Sequence, residues 1–110
     1  MAITSKRLAG ASLVAATETL IYEAPASKHA AFKAFVCNQH ATNVAAIRVA
    51  VTSGGAPAAA DFIRYDQDLP PQDSLDISNL GLTDGQRLYV ESDVANVSVV
   101  LVGIEEDLVV

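Results

Sequence analysis

The sequence predicts an all-β protein: one antiparallel β-sandwich or jelly roll of seven to eight short strands, with an N-terminal arm. Two observations carry that expectation. Apolar and polar residues alternate at period two through most segments from Leu20 to Ile104, and glycine, proline and Asp-Gly turns interrupt them at short, regular intervals. The one segment that also fits helical spacing, His29 to Asn38, lies among strand-like neighbours and is assigned with them.

Each element has its own justification. Residues 1–16 are read as an N-terminal arm or edge strand, and residues 17–110 as the sandwich. Lys6 and Arg7 before Leu8–Ala16 imitate a secretory leader, but Gly10 and Ser12 dilute the apolar stretch, so a cleaved signal is not expected. Thr19–Glu23 is β-branched and aromatic and stops before Pro25, which cannot donate to a ladder. In His29–Asn38, Ala30, Phe32, Ala34 and Val36 alternate. Gln39–Asn43 reads as a polar hairpin loop. Val44–Thr52 follows, with Ile47, Val49 and Val51 on one face and Arg48 on the other.

Ser53–Ala60 is a glycine- and proline-bearing loop, and Phe62–Tyr65 a short strand. Pro70-Pro71 forces extended backbone. Ser74–Ser78 alternates, Leu80–Gly85 turns through Asp84-Gly85, and Gln86–Ser92 alternates again. Asn96–Glu105 loses its alternation after Ser98. A run apolar on both faces predicts a strand covered by its own core on one side and by a neighbouring chain on the other.

Composition bounds the function. With 110 residues and 11.5 kDa, no internal repeat and no linker, the chain is one domain, expected to have a radius of gyration of ~13 Å. Its 51% hydrophobic and 18% charged residues speak against disorder, and no uninterrupted apolar run reaches the ~18 residues of a membrane helix. The single cysteine cannot pair within the chain. A net charge of −6 repels a phosphate backbone, so nucleic acid is not expected as a partner, and without an apolar run of spanning length neither is a membrane. The apolar content is mostly alanine and valine, without tryptophan. Such a core is thin, and a mean hydropathy of +0.31 then implies apolar surface buried against a sibling chain.

The chemistry-bearing residues support no catalytic or metal site. Cys37 and His40 stand at C-x-x-H spacing with His29 upstream, but a structural zinc site takes four ligands. Cys37 lies in a strand-like run, where a buried thiol is inert. Asp61, Asp66, Asp68, Asp73 and Asp76 read as a solvated acidic loop, without the register of a calcium loop. Gly54-Gly55 lacks the lysine of a phosphate loop, and no serine has a nucleophile-elbow setting. No cofactor or small-molecule substrate is expected. An alternative of another class, a carbohydrate-binding sandwich with calcium at Asp66 and Asp68, is weakened by the absence of tryptophan; only Tyr22, Tyr65 and Tyr89 could serve as tyrosine platforms.

Six motifs in order carry a resemblance. They are T-x-x-Y-x-x-P at Thr19–Pro25, a strand ending in Cys37-Asn38, I-R-V-A-V at Ile47–Val51, A-D-x-I-x-Y-D at Ala60–Asp66, G-x-x-L-x-V-x-S at Gly85–Ser92, and A-N-V-S-V at Ala95–Val99, which leads to Gly103-Ile104-Glu105. Over residues 17 to 106 the chain resembles small virion structural proteins of tailed bacteriophages. The resemblance implies a non-enzymatic β-sandwich, made in the bacterial cytoplasm and resident in the virion. Its implied partners are copies of itself in a cyclic homo-oligomer and other phage structural proteins of the tail, neck or collar, or baseplate. Capsid decoration, on the major capsid protein, is the alternative station. It brings no catalytic residues. The expected assembly contacts are Leu8, Leu13 and Val14 in the arm, Val99, Val100, Leu101 and Val102 in the last strand, and Leu108, Val109 and Val110 at the C-terminus.

Overall fold

Eight strands and one short 3-10 turn make up residues 5–107, which the computed structural model describes. The strands are β1 (Lys6–Ser12), β2 (Thr19–Glu23), β3 (Lys28–Asn38), β4 (Ala45–Thr52), β5 (Phe62–Leu69), β6 (Ser74–Thr83), β7 (Arg87–Ser92) and β8 (Val97–Asp107), with the turn at Ala59–Asp61. They form two four-stranded antiparallel sheets. The first has the order β1-β8-β3-β6 and the second β2-β7-β4-β5. Every connection except β4–β5 therefore crosses from one sheet to the other. This interleaving is that of a jelly roll. The Cα radius of gyration is 14.1 Å.

Packing follows from the alternation. On β3, Ala30, Phe32, Ala34 and Val36 point inward, and on β8 Val97, Val99 and Leu101 do; all seven are buried. They meet Ile47 and Val49 of β4 and Leu88 and Val90 of β7 from the other sheet. Tyr22 and Phe32 bridge the sheets edge to face, with ring centroids 5.7 Å apart. Alanine takes five buried positions (24, 30, 34, 45 and 50) of its nineteen, so most of the alanine lies outside the core. Gly103 has a steric reason to lack a side chain: a Cβ there would lie 2.6 Å from Phe32 Cα on the neighbouring strand.

The ladders differ between the middle and the edges. β3 and β8 pair without a break from Lys28↔Asp107 to Asn38↔Val97, and β4 and β7 from Ile47↔Ser92 to Thr52↔Arg87. Each pairing that involves an edge strand carries a register shift, at Arg7/Ala9, Leu20/Tyr22 and Phe32/Ala34, and at two points between β4 and β5. Asp66 and Asn79, on the edge strands β5 and β6, have positive φ of 51° and 61°. Such kinks blunt an edge against pairing with another chain.

One end of the sandwich is closed by a buried side chain. Asn38, fully buried, donates from Nδ2 to the Asn43 carbonyl at 2.8 Å and the Leu69 carbonyl at 3.0 Å, while its Oδ1 accepts from the His40 amide at 3.0 Å. The crossing after β3 is thereby tied to the end of β5.

Three local expectations are corrected. Residues 39–44 are not a hairpin loop but a crossing between sheets, because β3 and β4 belong to different layers. β5 runs on to Leu69, and β6 continues to Thr83 through an irregularity that accommodates Ser78 and Asn79. The Asp84-Gly85 turn is present, with both residues at positive φ and the Gln86 amide donating to the Thr83 carbonyl at 3.1 Å.

Candidate assembly surfaces

In a strand, successive side chains point to opposite faces, so an apolar run loads both. β8 does this. Val97, Val99 and Leu101 serve the core, whereas Val100, Val102 and Ile104 stand on the outer face of the first sheet. Register places Val100 beside Phe35 and Ile104 beside Ala31 of β3, extending the apolar strip sideways. Val102, 37% exposed, lies between Arg7 of β1 and Lys33 of β3. Lys33 holds its ammonium 5.3 Å from the Phe35 ring centroid. Neither Arg7 nor Lys33 has an ion-pair partner among the described residues.

The second sheet has an apolar row on its outer face as well. Leu20, Tyr89, Ala50 and Phe62 pair in sequence across all four strands. Tyr65, 60% exposed, sets its ring edge to face against Phe62 at 5.2 Å, and the Arg48 guanidinium lies 4.2 Å above the Tyr65 ring. Charged residues flank the row. Arg87 pairs with Glu23 at 2.7 Å, and Arg48 with Asp66 at 2.6 Å and 3.3 Å. Glu91 opposes Arg48 across the ladder, and Asp68 opposes Ala46. The Arg48 hydrogen bond holds the Asp66 carboxyl below its ordinary pKa.

The anticipated contact residues divide. Val14 is 65% exposed, and Val100 and Val102 lie on the outer face. Leu13, Val99 and Leu101 are corrected: the chain's own core takes them, leaving nothing for a neighbour to touch. Leu8 is half-buried and packs on that core from the β1 edge. Leu108, Val109 and Val110 lie outside the described residues. Reasoning from sequence missed Phe35, Ile104, Leu20, Phe62, Tyr65 and Tyr89. The signal for Phe35 was the second of two alternating sets on β3, which becomes outward once Phe32 is known to be inward.

The other chemistry-bearing residues are dispersed or already engaged. Cys37 is half-buried on the outer face of β3, not sealed in the core, and His29 shares that face eight residues earlier. His40 Nε2 lies 2.6 Å from the Ala95 carbonyl. Among the described residues no group of three or more histidines, cysteines and carboxylates is gathered as for a metal ion. Tyr22 donates a hydrogen bond to Glu105, and the Lys6 ammonium lies 3.8 Å from the other oxygen of that carboxylate. Burial and the Glu105 carboxylate push the Tyr22 phenol well above the usual tyrosine range.

The sandwich thus carries apolar ground on both outer faces and irregular edges at its sides. No family model, no curated protein and no solved structure matches this chain.

Proposed function

We propose that this protein is a non-enzymatic structural subunit of a bacteriophage virion, which oligomerises and attaches to the tail, neck or collar, or baseplate. The observation that carries the reading is the outer face of β8. Val100, Val102 and Ile104, with Phe35, form an apolar strip on a sheet face that no other element among the described residues covers. Contiguous apolar patches of this kind mark association surfaces. The ordered motif resemblance over residues 17 to 106 supplies the virion setting, and the jelly roll is a fold that viral capsid proteins also use, which is support by analogy. In an assembly many weak contacts act together, so modest apolar strips suffice for stable attachment.

Quantitative mass spectrometry of purified particles from a phage encoding the chain tests this. The subunit is expected in the particle, in the small multiples that closed rings require. Copies numbering in the hundreds would move it to the capsid surface as a decoration protein, and its absence from the particle would overturn the virion role.

A further inference from the structure

We infer that β1 is exchanged between copies of this chain: β1 of one copy lies along β8 of the next, making there the pairing it makes with its own β8. The inference rests on the assembly reading above and names the contact that holds the copies together. Three features point to it.

The first is how β1 is attached. It is an edge strand paired with β8 alone, and none of its residues from Lys6 to Ser12 is buried. The anchor comes just after the strand: Leu13 is 3% exposed, and its amide donates to the Val97 carbonyl at 2.8 Å. Residues 6–13 can therefore leave as one unit, with the internal β3–β8 and β4–β7 ladders intact.

The hinge is the second. Val14–Glu18 leads from the first sheet to the second, and all five residues are exposed. The turn is held by the Ala16 amide on the Ser92 carbonyl at 2.8 Å and the Thr17 amide on the Val14 carbonyl at 3.3 Å. Ala16 has φ of 54°, and of the seven non-glycine residues at positive φ among the described residues it alone is apolar. Left-handed backbone is unfavourable for an L-residue, and alanine has no side-chain oxygen to offset it locally. Extended, five residues reach ~17 Å, more than the ~10 Å between packed sheets, so the connection is longer than closure requires.

The third is what β1 leaves behind. On its other side β8 pairs with β3 without a break from Lys28↔Asp107 to Asn38↔Val97. Stripped of β1, β8 is a long, straight edge, and such an edge has to be covered. The β1 of any copy covers it with identical contacts. The closed and exchanged forms then differ chiefly at the hinge, where opening releases Ala16 from its strained turn, a situation that favours exchange. Passed from copy to copy, the exchange closes when the last chain gives its β1 to the first.

Covalent trapping tests this. Ser12 and Ser98 are ladder partners, within reach of a disulfide. A chain carrying Ser12→Cys and Ser98→Cys also needs Cys37→Ser, because Cys37 faces Ser98 from the other side. It is refolded from urea at a concentration where wild type associates, oxidised, and run on a denaturing gel without reductant. Covalent species of two or more chains are expected. If the new disulfide closes within single chains while wild type still sediments as multiples, exchange fails and the assembly reading stands. A wild-type chain that stays monomeric at every concentration overturns both. Two hinge variants, checked for folding by circular dichroism, add a second readout. Ala16→Gly removes the strain from the closed turn and is expected to shift the balance toward monomer by ~10-fold or more, as each exchanged dimer has two hinges. Removing Ala15 and Ala16 leaves three hinge residues, ~10 Å extended and without room for the turn, and is expected to give oligomers that no longer dissociate on dilution. An unchanged dilution curve for Ala16→Gly, or a folded monomer from the shortened hinge, would also overturn the exchange.

Discussion

Asn38 offers the sharpest perturbation of the fold. Its side chain is fully buried and makes three hydrogen bonds that join β3, the crossing after it and the end of β5. In Asn38→Ala the Asn43 carbonyl and His40 amide can recover water, because both residues are at least partly exposed. The Leu69 carbonyl belongs to a residue only 3% exposed and loses its Asn38 donor where water cannot replace it. A buried hydrogen bond lost with no water to replace it costs ~1–3 kcal/mol, and the other two bonds add ~1 kcal/mol together, giving a loss of ~2–4 kcal/mol. Against a typical total of ~5–15 kcal/mol that is large, and it corresponds to a fall in Tm of ~10–20 °C.

Asn38→Asp keeps the shape but sets a carboxylate against two carbonyls. Burial and the missing donor favour its neutral form, which raises its folded-state pKa above the unfolded value. Stability is then fullest below the unfolded pKa and is lost as pH rises through the folded one. Urea unfolding of wild type and both variants from pH 4 to pH 8 measures this. The gap between Asn38→Asp and wild type is expected to widen as pH rises. A loss below ~1 kcal/mol in Asn38→Ala, or a gap independent of pH, would refute the argument.

Other outcomes follow from particular contacts. Gly103→Ala forces a Cβ against Phe32 backbone and is expected to cost ~1–3 kcal/mol in chemical denaturation, whereas Gly81→Ala, whose Cβ would meet only His29 and the Ala30 carbonyl at 3.7 Å and 3.8 Å, is expected to be tolerated. The Tyr22 phenol is raised by burial and by Glu105, so its contribution is complete below the ordinary tyrosine range and is lost as pH climbs through and beyond it. Wild type is therefore expected to lose stability on the alkaline side, and Tyr22→Phe to lack that slope in pH-dependent melting. Asp66 is held below its ordinary pKa by Arg48, so the pair's contribution is present above the usual aspartate range and disappears as pH falls through the lowered value. In an NMR titration, Arg48→Gln is expected to raise the Asp66 pKa toward the ordinary value, and high salt to shrink the difference, as the pair is exposed.

Strands were legible in the sequence because their determinants are local. Thr19–Glu23 is β-branched and aromatic and halts at Pro25, and Arg87–Ser92 alternates behind an Asp-Gly turn. Order in the sheets was not legible. Residues 39–44 look like a hairpin loop because nothing in Gln39–Asn43 records that the chain changes layers; that information resides in the pairing of β3 with β8, some sixty residues later. The contact set was half legible for a related reason. An apolar run such as Val97–Ile104 shows that both faces are greasy but not which is inward, so Val99 and Leu101 were indistinguishable from Val100 and Val102. Leu13 turns inward because its amide is held by the Val97 carbonyl at 2.8 Å, a constraint from the far end of the chain. Asn38 gave no advance sign of its role, since a lone polar residue closing an inward set reads as a strand end.

The sedimentation coefficient of the purified chain across a dilution series tests the central claim most directly. Burial of the Val100–Ile104 strip by sibling chains requires species that are whole multiples of 11.5 kDa and dissociate on dilution. A single 11.5 kDa species at every concentration would contradict it.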